Sequence, residues 1–487
     1  MAASPIGRDA VDSETRGSYL LRESPPASTP ASLRPAFDPT LRRDVWIRDS
    51  PAGTPLSDPA RRDLSRRGRL RFQSVTAGIA GLSWPMRGLA AERQWTAIQK
   101  LIDGYVVDKK MAGGAVAIAY GGAPLKYLAA GTIALDSQKR FDENSICRIH
   151  SMTKPVTGIA AMLLVEDGKL SLDQPVADVL PEFRTLRTAI DVERSLDSHP
   201  ATKTMTMRHL LTHTSGLASW TPLSSGPELL HVAYRERGIT PGNFGERLDR
   251  PGYGPQATSL VDMVRRLAEL PLAYEPGTVS NYSIGTDVMA LVIERASGMS
   301  YERFLRDRLF TPLQMSSTGF QVDREDTGRL TTNYQFAPTG LTPTDAEATS
   351  VFLEPPRLIA GGGGLVSTVR DYARFGAMLL GDGALDGSRV MRVETARAAR
   401  SNLLPDGVLK ATTGQGAGMP VVRPGDKAVM PPGTVMGSGA SGGLWWMDPS
   451  RPGNVVFLTQ LIGIGQAAYT VPAELSAALE AGLKEPA

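Results

Sequence analysis

Apolar residues recur with helical spacing over residues 94–105, then switch to two short continuous runs, 115–120 and 125–130. Gly121-Gly122 joins those runs, which predicts a β-hairpin. Residues 156–166 return to a helical pattern, stopped by Gly168 and Pro175. Helices are also predicted over 260–270, 286–296 and 369–380, and the Gly/Pro-rich stretch 241–255 reads as loop. Towards the other end, 443–447 and 455–460 read as strands, followed by a helix over 472–483. Strands at both ends around a helix-rich middle predict one sheet assembled from both halves of the chain, and no internal repeat is visible.

The pattern begins only near residue 93. Upstream, Pro, Ser and Arg recur without period, lysine is absent until Lys100, and residues 1–90 hold fourteen arginines against nine acidic residues. Such a stretch buries too little apolar surface to offset its ordering entropy, so 1–92 is expected to be a disordered or targeting-like extension. Ser65-Arg66-Arg67-Gly68-Arg69-Leu70-Arg71 before the mildly apolar 72–82 is similar to a degraded twin-arginine signal, set far from the N-terminus. A cytoplasmic protein is the expectation, with export to the periplasm open if translation starts later.

Composition narrows the function classes. With 53 Lys+Arg against 50 Asp+Glu, no nucleic-acid partner is expected. Cys147 is the single cysteine, which excludes an internal disulfide and a cysteine-based zinc site. No run reaches the roughly 20 apolar residues of a membrane span. Nothing in the sequence fixes an oligomeric state.

Candidate chemistry starts at Ser151-Met152-Thr153-Lys154. Ser and Lys three apart at a helix start share one face, so the amine can reach the hydroxyl. Pro155 fits a first turn, where its missing N–H is not needed.

Residues 147–155, with this Ser-x-x-Lys at their centre, resemble the nucleophile segment of the serine β-lactamase and penicillin-binding-protein superfamily, in its class C-like branch. The resemblance continues at 168–176, is strongest at 206–217 (Thr-Met-Arg-His-Leu-Leu-Thr-His-Thr-Ser-Gly-Leu), and returns at 276–283 and 361–372. It is closest to the family VIII carboxylesterases of that branch. It implies an α/β (α+β) fold of β-lactamase/transpeptidase type, an antiparallel sheet flanked by helices, over 93–487. A mostly helical insertion is expected at about 186–330, with the site at the seam.

By resemblance, Ser151 is the nucleophile, Lys154 and Tyr282 share its proton, and the backbone N–H groups of Ser151 and Ala440 form the oxyanion hole. Ser438 and Gly439 would line the substrate strand. No metal or organic cofactor is implied. Two departures stand out. Ile284 replaces the Asn of the family's Tyr-x-Asn triplet, and Gly437 replaces the Lys, His or Trp that opens its third motif. Both remove polar anchors for amides or carboxylates, so a small-molecule ester is the expected substrate. A β-lactam or D-amino-acid peptide (as for a DD-carboxypeptidase) is the alternative, and a catalytically retired binding protein of the same fold is another.

Other motifs have plainer readings. Gly439-Ala440-Ser441-Gly442-Gly443 spells the nucleophile elbow of α/β-hydrolases, but that fold needs a histidine after its serine and all five precede Ser441. His209 and His213 have metal-like spacing without the glutamate of a zinc motif. His150 is expected to be a packed neighbour of Ser151, and the four glycines at 361–364 to permit tight packing beside the site.

Overall fold

In the computed structural model, the described residues are 93–485 apart from 222–225, 243–250, 338–339, 429 and 463–470. The extension 1–92 and the middle of the 241–255 loop therefore lie outside the described residues.

The sheet has seven strands: β1 (Gly113–Tyr120), β2 (Lys126–Gly131), β3 (Gly414–Gln415), β4 (Pro420–Val421), β5 (Val435–Ser438), β6 (Leu444–Asp448) and β7 (Gly453–Thr459). Their spatial order is β3-β4-β5-β6-β7-β1-β2, antiparallel throughout. β1 lies against β7 with Ala115 opposite Leu458 and Ala117 opposite Val456, so the two halves of the chain share one sheet. The three short strands β3 to β5 escape the apolar-run pattern, because each is only two to four residues long with Gly or Pro among them; a strand near β5 is expected through the resemblance alone.

The helices that frame the sheet and the site are α1 (Thr96–Val107), α2 (Thr153–Glu166), α3 (Met207–Leu211), α4 (Glu228–Glu236), α5 (Leu260–Ala268), α6 (Gly285–Ser297), α7 (Val369–Leu380) and α8 (Val471–Leu483). Successive strand residues point to opposite faces. Val116, Ile118, Tyr120, Trp446, Val455 and Phe457 pack on the outer layer, with Ile98 and Ile102 of α1 and Leu475 and Leu479 of α8. Ala115, Ala117, Trp445, Met447, Val456 and Leu458 face the main core with α2 and α7. A sheet covered on both faces needs apolar side chains at every position, which is why the central strands read as continuous runs.

Helix α2 is buried along residues 153–164 and packs on α6. It has no polar face, the signature of a helix enclosed on all sides. α3 to α6 fall between residues 186 and 330, and the chain enters that region through the small hairpin Arg187–Ala189/Ser198–Pro200.

Candidate active site

The site is built where α2 begins. Cys147–Arg148 pairs with Val366–Ser367, Ile149 N–H donates to Leu365 O, and Leu365 N–H donates to Thr153 Oγ1. These bonds hold a single 3-10 turn, His150–Met152, at the mouth of the helix. His150 has φ 43°, a left-handed conformation uncommon for a side-chain-bearing residue, which turns the chain sharply into Ser151. Below the turn, the buried Arg148 guanidinium pairs with Asp345 at 2.5 Å and donates to Ser350 Oγ and Gln460 Oε1. Gln460 also accepts from Arg148 N–H and donates to Arg148 O, as a neighbouring strand would.

Residues three apart across a helix start share one face, and this brings Lys154 Nζ, in the first turn of α2, to 3.3 Å from Ser151 Oγ. The Lys154 side chain, 7% exposed, also donates to Gly362 O at 2.6 Å. Tyr282 precedes α6, and its Oη stands 2.7 Å from Ser151 Oγ. Lys154 Nζ lies over the Tyr282 ring at 4.7 Å from its centre, a cation–π contact. The structure thus brings together Ser151, Lys154 and Tyr282, the last from 131 residues away in sequence.

His213 buttresses the phenol. Its ring lies 4.8 Å from that of Tyr282, and its Nδ1 accepts the Ser283 backbone N–H at 3.2 Å. Burial first, then the Lys154 charge, pushes its pKa down to about 3, so the ring is neutral with its proton on Nε2. His209 serves elsewhere, its Nδ1 accepting Thr206 N–H at the start of α3. Asn281 points away from the site, donating to Leu217 O at 3.0 Å.

Asp287, in the first turn of α6, is a further group beside the trio that sequence reasoning missed. Its Oδ1 accepts Gly362 N–H at 2.8 Å, and burial pushes its carboxyl up to about 6 against the pull of Lys154. The glycine run therefore has a specific purpose. A Cβ on Gly362 would stand 2.6 Å from Asp287 Oδ2, so glycine alone lets that residue sit between the carboxylate and Lys154.

The third motif runs along β5. A Cβ on Gly439 would lie 2.4 Å from Ile149 O, so this strand end packs directly on the nucleophile turn. Gly439 N–H donates to Gly443 O; Ser438 and Ala440 are exposed beside it. Around the missing Gly437 side chain stand Trp445, Pro155 and Met152, an apolar surrounding. Ile284 is 3% exposed and belongs to the main core. Ser441, the serine of the decoy motif, is 1% exposed in the β5–β6 turn, away from any of the histidines' hydrogen bonds described above.

A family model described as Beta-lactamase matches residues 98–477. The chain belongs to that family. Protein Rv1367c of Mycobacterium tuberculosis is 33% identical over 341 residues, 67% of this chain and 80% of that protein. Esterase EstB of Burkholderia gladioli is 32% identical over 224 residues, 46% of this chain and half of EstB. Among solved structures, EstCE1, a hydrolase with promiscuous acyltransferase activity, superposes with a TM-score of 0.65 at 24% identity, covering 79% of this chain and 98% of that one. Simvastatin synthase LovD from Aspergillus terreus superposes at 0.61 and 17% identity, covering 81% of this chain and all of LovD. The fold is accordingly the β-lactamase/transpeptidase-like one, and the chain is a serine-hydrolase-like member of it. No described helix is long and apolar enough to cross a membrane.

Proposed function

We propose that the protein hydrolyses carboxylic esters of small molecules through an acyl-enzyme on Ser151. The observation that carries this reading is the hydroxyl of Ser151 held within 2.7 Å of Tyr282 Oη and 3.3 Å of Lys154 Nζ at a water-accessible helix start. Ser151 Oγ attacks the ester carbonyl carbon while its proton passes to the Tyr282/Lys154 pair. The bond to the alcohol oxygen then breaks, and the pair returns the proton to that leaving oxygen. Water repeats the sequence in reverse roles: it gives a proton to the pair, attacks the acyl carbon, and Ser151 recovers its proton as the acid leaves. The backbone N–H groups of Ser151 and Ala440 are the proposed donors to the oxyanion, with Ser438 and Gly439 lining the substrate strand.

Esters are favoured over β-lactams by the two departures. Amide cleavage demands protonation of a poor leaving nitrogen and firm alignment, and Ile284, packed in the core, offers the amide no hydrogen bond. Gly437 offers a substrate carboxylate no cation, and its surroundings are apolar. A hydrogen bond to a charged group contributes about 1.5–3 kcal/mol, roughly ten- to a hundredfold per contact. EstB and lovastatin esterase of Penicillium rubens, both named as esterases, support the same substrate class.

A parallel turnover assay on short and long p-nitrophenyl esters, a cephalosporin and a D-Ala-D-Ala peptide tests the reading. Short acyl esters are expected to exceed the cephalosporin in kcat/KM by at least about a hundredfold. Equal or faster cephalosporin turnover overturns the esterase assignment. Failure of a fluorophosphonate to label Ser151 removes the acyl-enzyme altogether.

A further inference from the structure

A carboxyl group enclosed in an apolar core needs a reason. Asp287 is 4% exposed, on a helix whose neighbours Val288 to Ile293 are all buried in the main core. Burying an acid there is costly unless it is partnered. Its position in the first turn of α6 supplies part of the answer, since a helix N-terminus favours negative charge. The rest comes from the glycine run: Gly362 N–H donates to Asp287 Oδ1, and Gly362 O accepts from Lys154 Nζ.

We propose that Asp287 is a positioning residue for the general base: through the two backbone groups of Gly362 it holds Lys154 against Ser151, and its charge stabilises the proton that the Lys154/Tyr282 pair takes up. This rests on the reading of Ser151 as nucleophile. When Ser151 gives up its proton, the pair becomes more positive by one charge. A fixed anion nearby, in a low-dielectric interior, lowers the energy of that state and makes the pair a stronger base. Gly362 keeps the carboxylate one residue away from the amine, so the anion supports Lys154 without capturing it in a direct ion pair.

The groups facing Asp287 leave this role to it. Lys154 approaches from α2. Tyr301, from the helical turn Tyr301–Leu305, shares a 2.5 Å hydrogen bond with Thr157 Oγ1, and burial pushes its phenol away from ionisation. Tyr282 and His213 lie beyond Lys154, and His213 is neutral. Thr286 and Gly361 carry no charge. The opposing charge acting on Asp287 is therefore that of Lys154. Because burial sets the carboxyl near 6, the anion is present in neutral solution and is lost as the medium becomes acidic.

Asp287→Asn separates position from charge, because its Oδ1 can still accept Gly362 N–H. Gly362→Ala does the opposite: it keeps the charge and drives a methyl into the carboxylate. The assay is kcat/KM on p-nitrophenyl acetate from about pH 5 to about pH 9, with melting curves and the rate of Ser151 labelling by a fluorophosphonate, for wild type, Ser151→Ala and both variants. Asp287→Asn is expected to fold, to lose at least about tenfold in kcat/KM near neutrality, and to move its acid limb at least about half a unit to lower pH. Gly362→Ala is expected to lose at least about tenfold in kcat. An Asp287→Asn profile that superposes on wild type, or one lowered uniformly with its acid limb unmoved, overturns the proposal, as does a Gly362→Ala enzyme with unchanged kcat. Failure of the underlying reading has a different signature: Ser151→Ala as active as wild type overturns the hydrolase mechanism and this proposal with it, whereas an impaired Ser151→Ala beside an unaltered Asp287→Asn overturns the role of Asp287 alone.

Discussion

Lys154 reaches Ser151 across one turn, whereas Tyr282 and Asp287 arrive from the distant segment that leads into α6 and from its first turn, and this difference governs what each residue reveals. The Ser151/Lys154 pair was legible in the sequence because its geometry is local. Tyr282 was legible only through resemblance to a family, since no spacing rule links residues 131 apart. Asp287 was not legible at all: an acid in the first turn of a helix reads as ordinary dipole compensation. Ser151→Ala, Lys154→Ala and Tyr282→Phe are each expected to cut ester turnover by at least about a hundredfold while Ser441→Ala keeps most of it, because groups acting as a unit fail together. An inactive Ser441→Ala beside an active Ser151→Ala in the same assay would overturn the mechanism. Asp287 also carries a stability signature. Its native carboxyl, near 6, is raised above the unfolded value, so its contribution is fully present below about pH 4 and is lost as pH rises through 6. The loss amounts to roughly 3 kcal/mol in neutral solution. Thermal melts across this range are expected to show Asp287→Asn gaining stability relative to wild type as pH rises from about 4 to about 7; a constant difference would mean the carboxyl is not perturbed.

At the scale of elements, the segment 361–367 ties the site together. Its first residues pack on the start of α6 and accept Lys154, and its last pair with Cys147–Arg148. Arg148 then anchors the turn from below through Asp345, Ser350 and Gln460. These contacts of Arg148 were not readable from the sequence, because Asp345, Ser350 and Gln460 lie 197 to 312 residues away and none belongs to a spaced motif. The hydrophobic periods, by contrast, marked the predicted helices and the central strands to within three residues, since burial on a face is written locally. They missed β3 to β5, whose residues are held by strand neighbours rather than by their own apolar character. Breaking the buried pair is expected to be severe. Arg148→Met leaves Asp345 charged in the interior and should cost about 3–5 kcal/mol, measured by denaturant unfolding. Arg148→Met with Asp345→Leu removes the orphaned charge and should recover much of that stability. It should not recover Ser151 labelling, because the bonds that hold the turn are gone. Equal labelling by the double variant and wild type would show that the network serves stability alone.

On the scale of the whole molecule, the sheet divides labour between its faces. The inner face is packed by α7 and faces the main core that holds α2 and α6; the outer face is closed by α1 and α8, drawn from opposite ends of the described chain. Arg93 donates to the Gly482 and Leu483 carbonyls, and Glu485 accepts from Thr96 and Ala97 N–H, so the two helices are clasped at their ends. None of Ser151, Lys154, Tyr282 and Asp287 belongs to this outer layer, yet it covers Val116, Ile118, Val455 and Phe457, alternate residues of the strands whose other side chains enter the main core. Its loss would expose one face of the central strands and weaken the platform on which β5 and β6 rest. Energetically the outer layer belongs to folding and the inner one to chemistry. Leu479→Ala, which removes a fully enclosed side chain of α8, is expected to lower unfolding free energy by about 2–5 kcal/mol. Because a sheet in a close-packed interior is stiff, kcat/KM on a short ester at a temperature well below melting should stay within about twofold of wild type. A variant of nearly unchanged stability with ester turnover reduced tenfold would reverse this division, placing the outer helices in control of the site across the sheet.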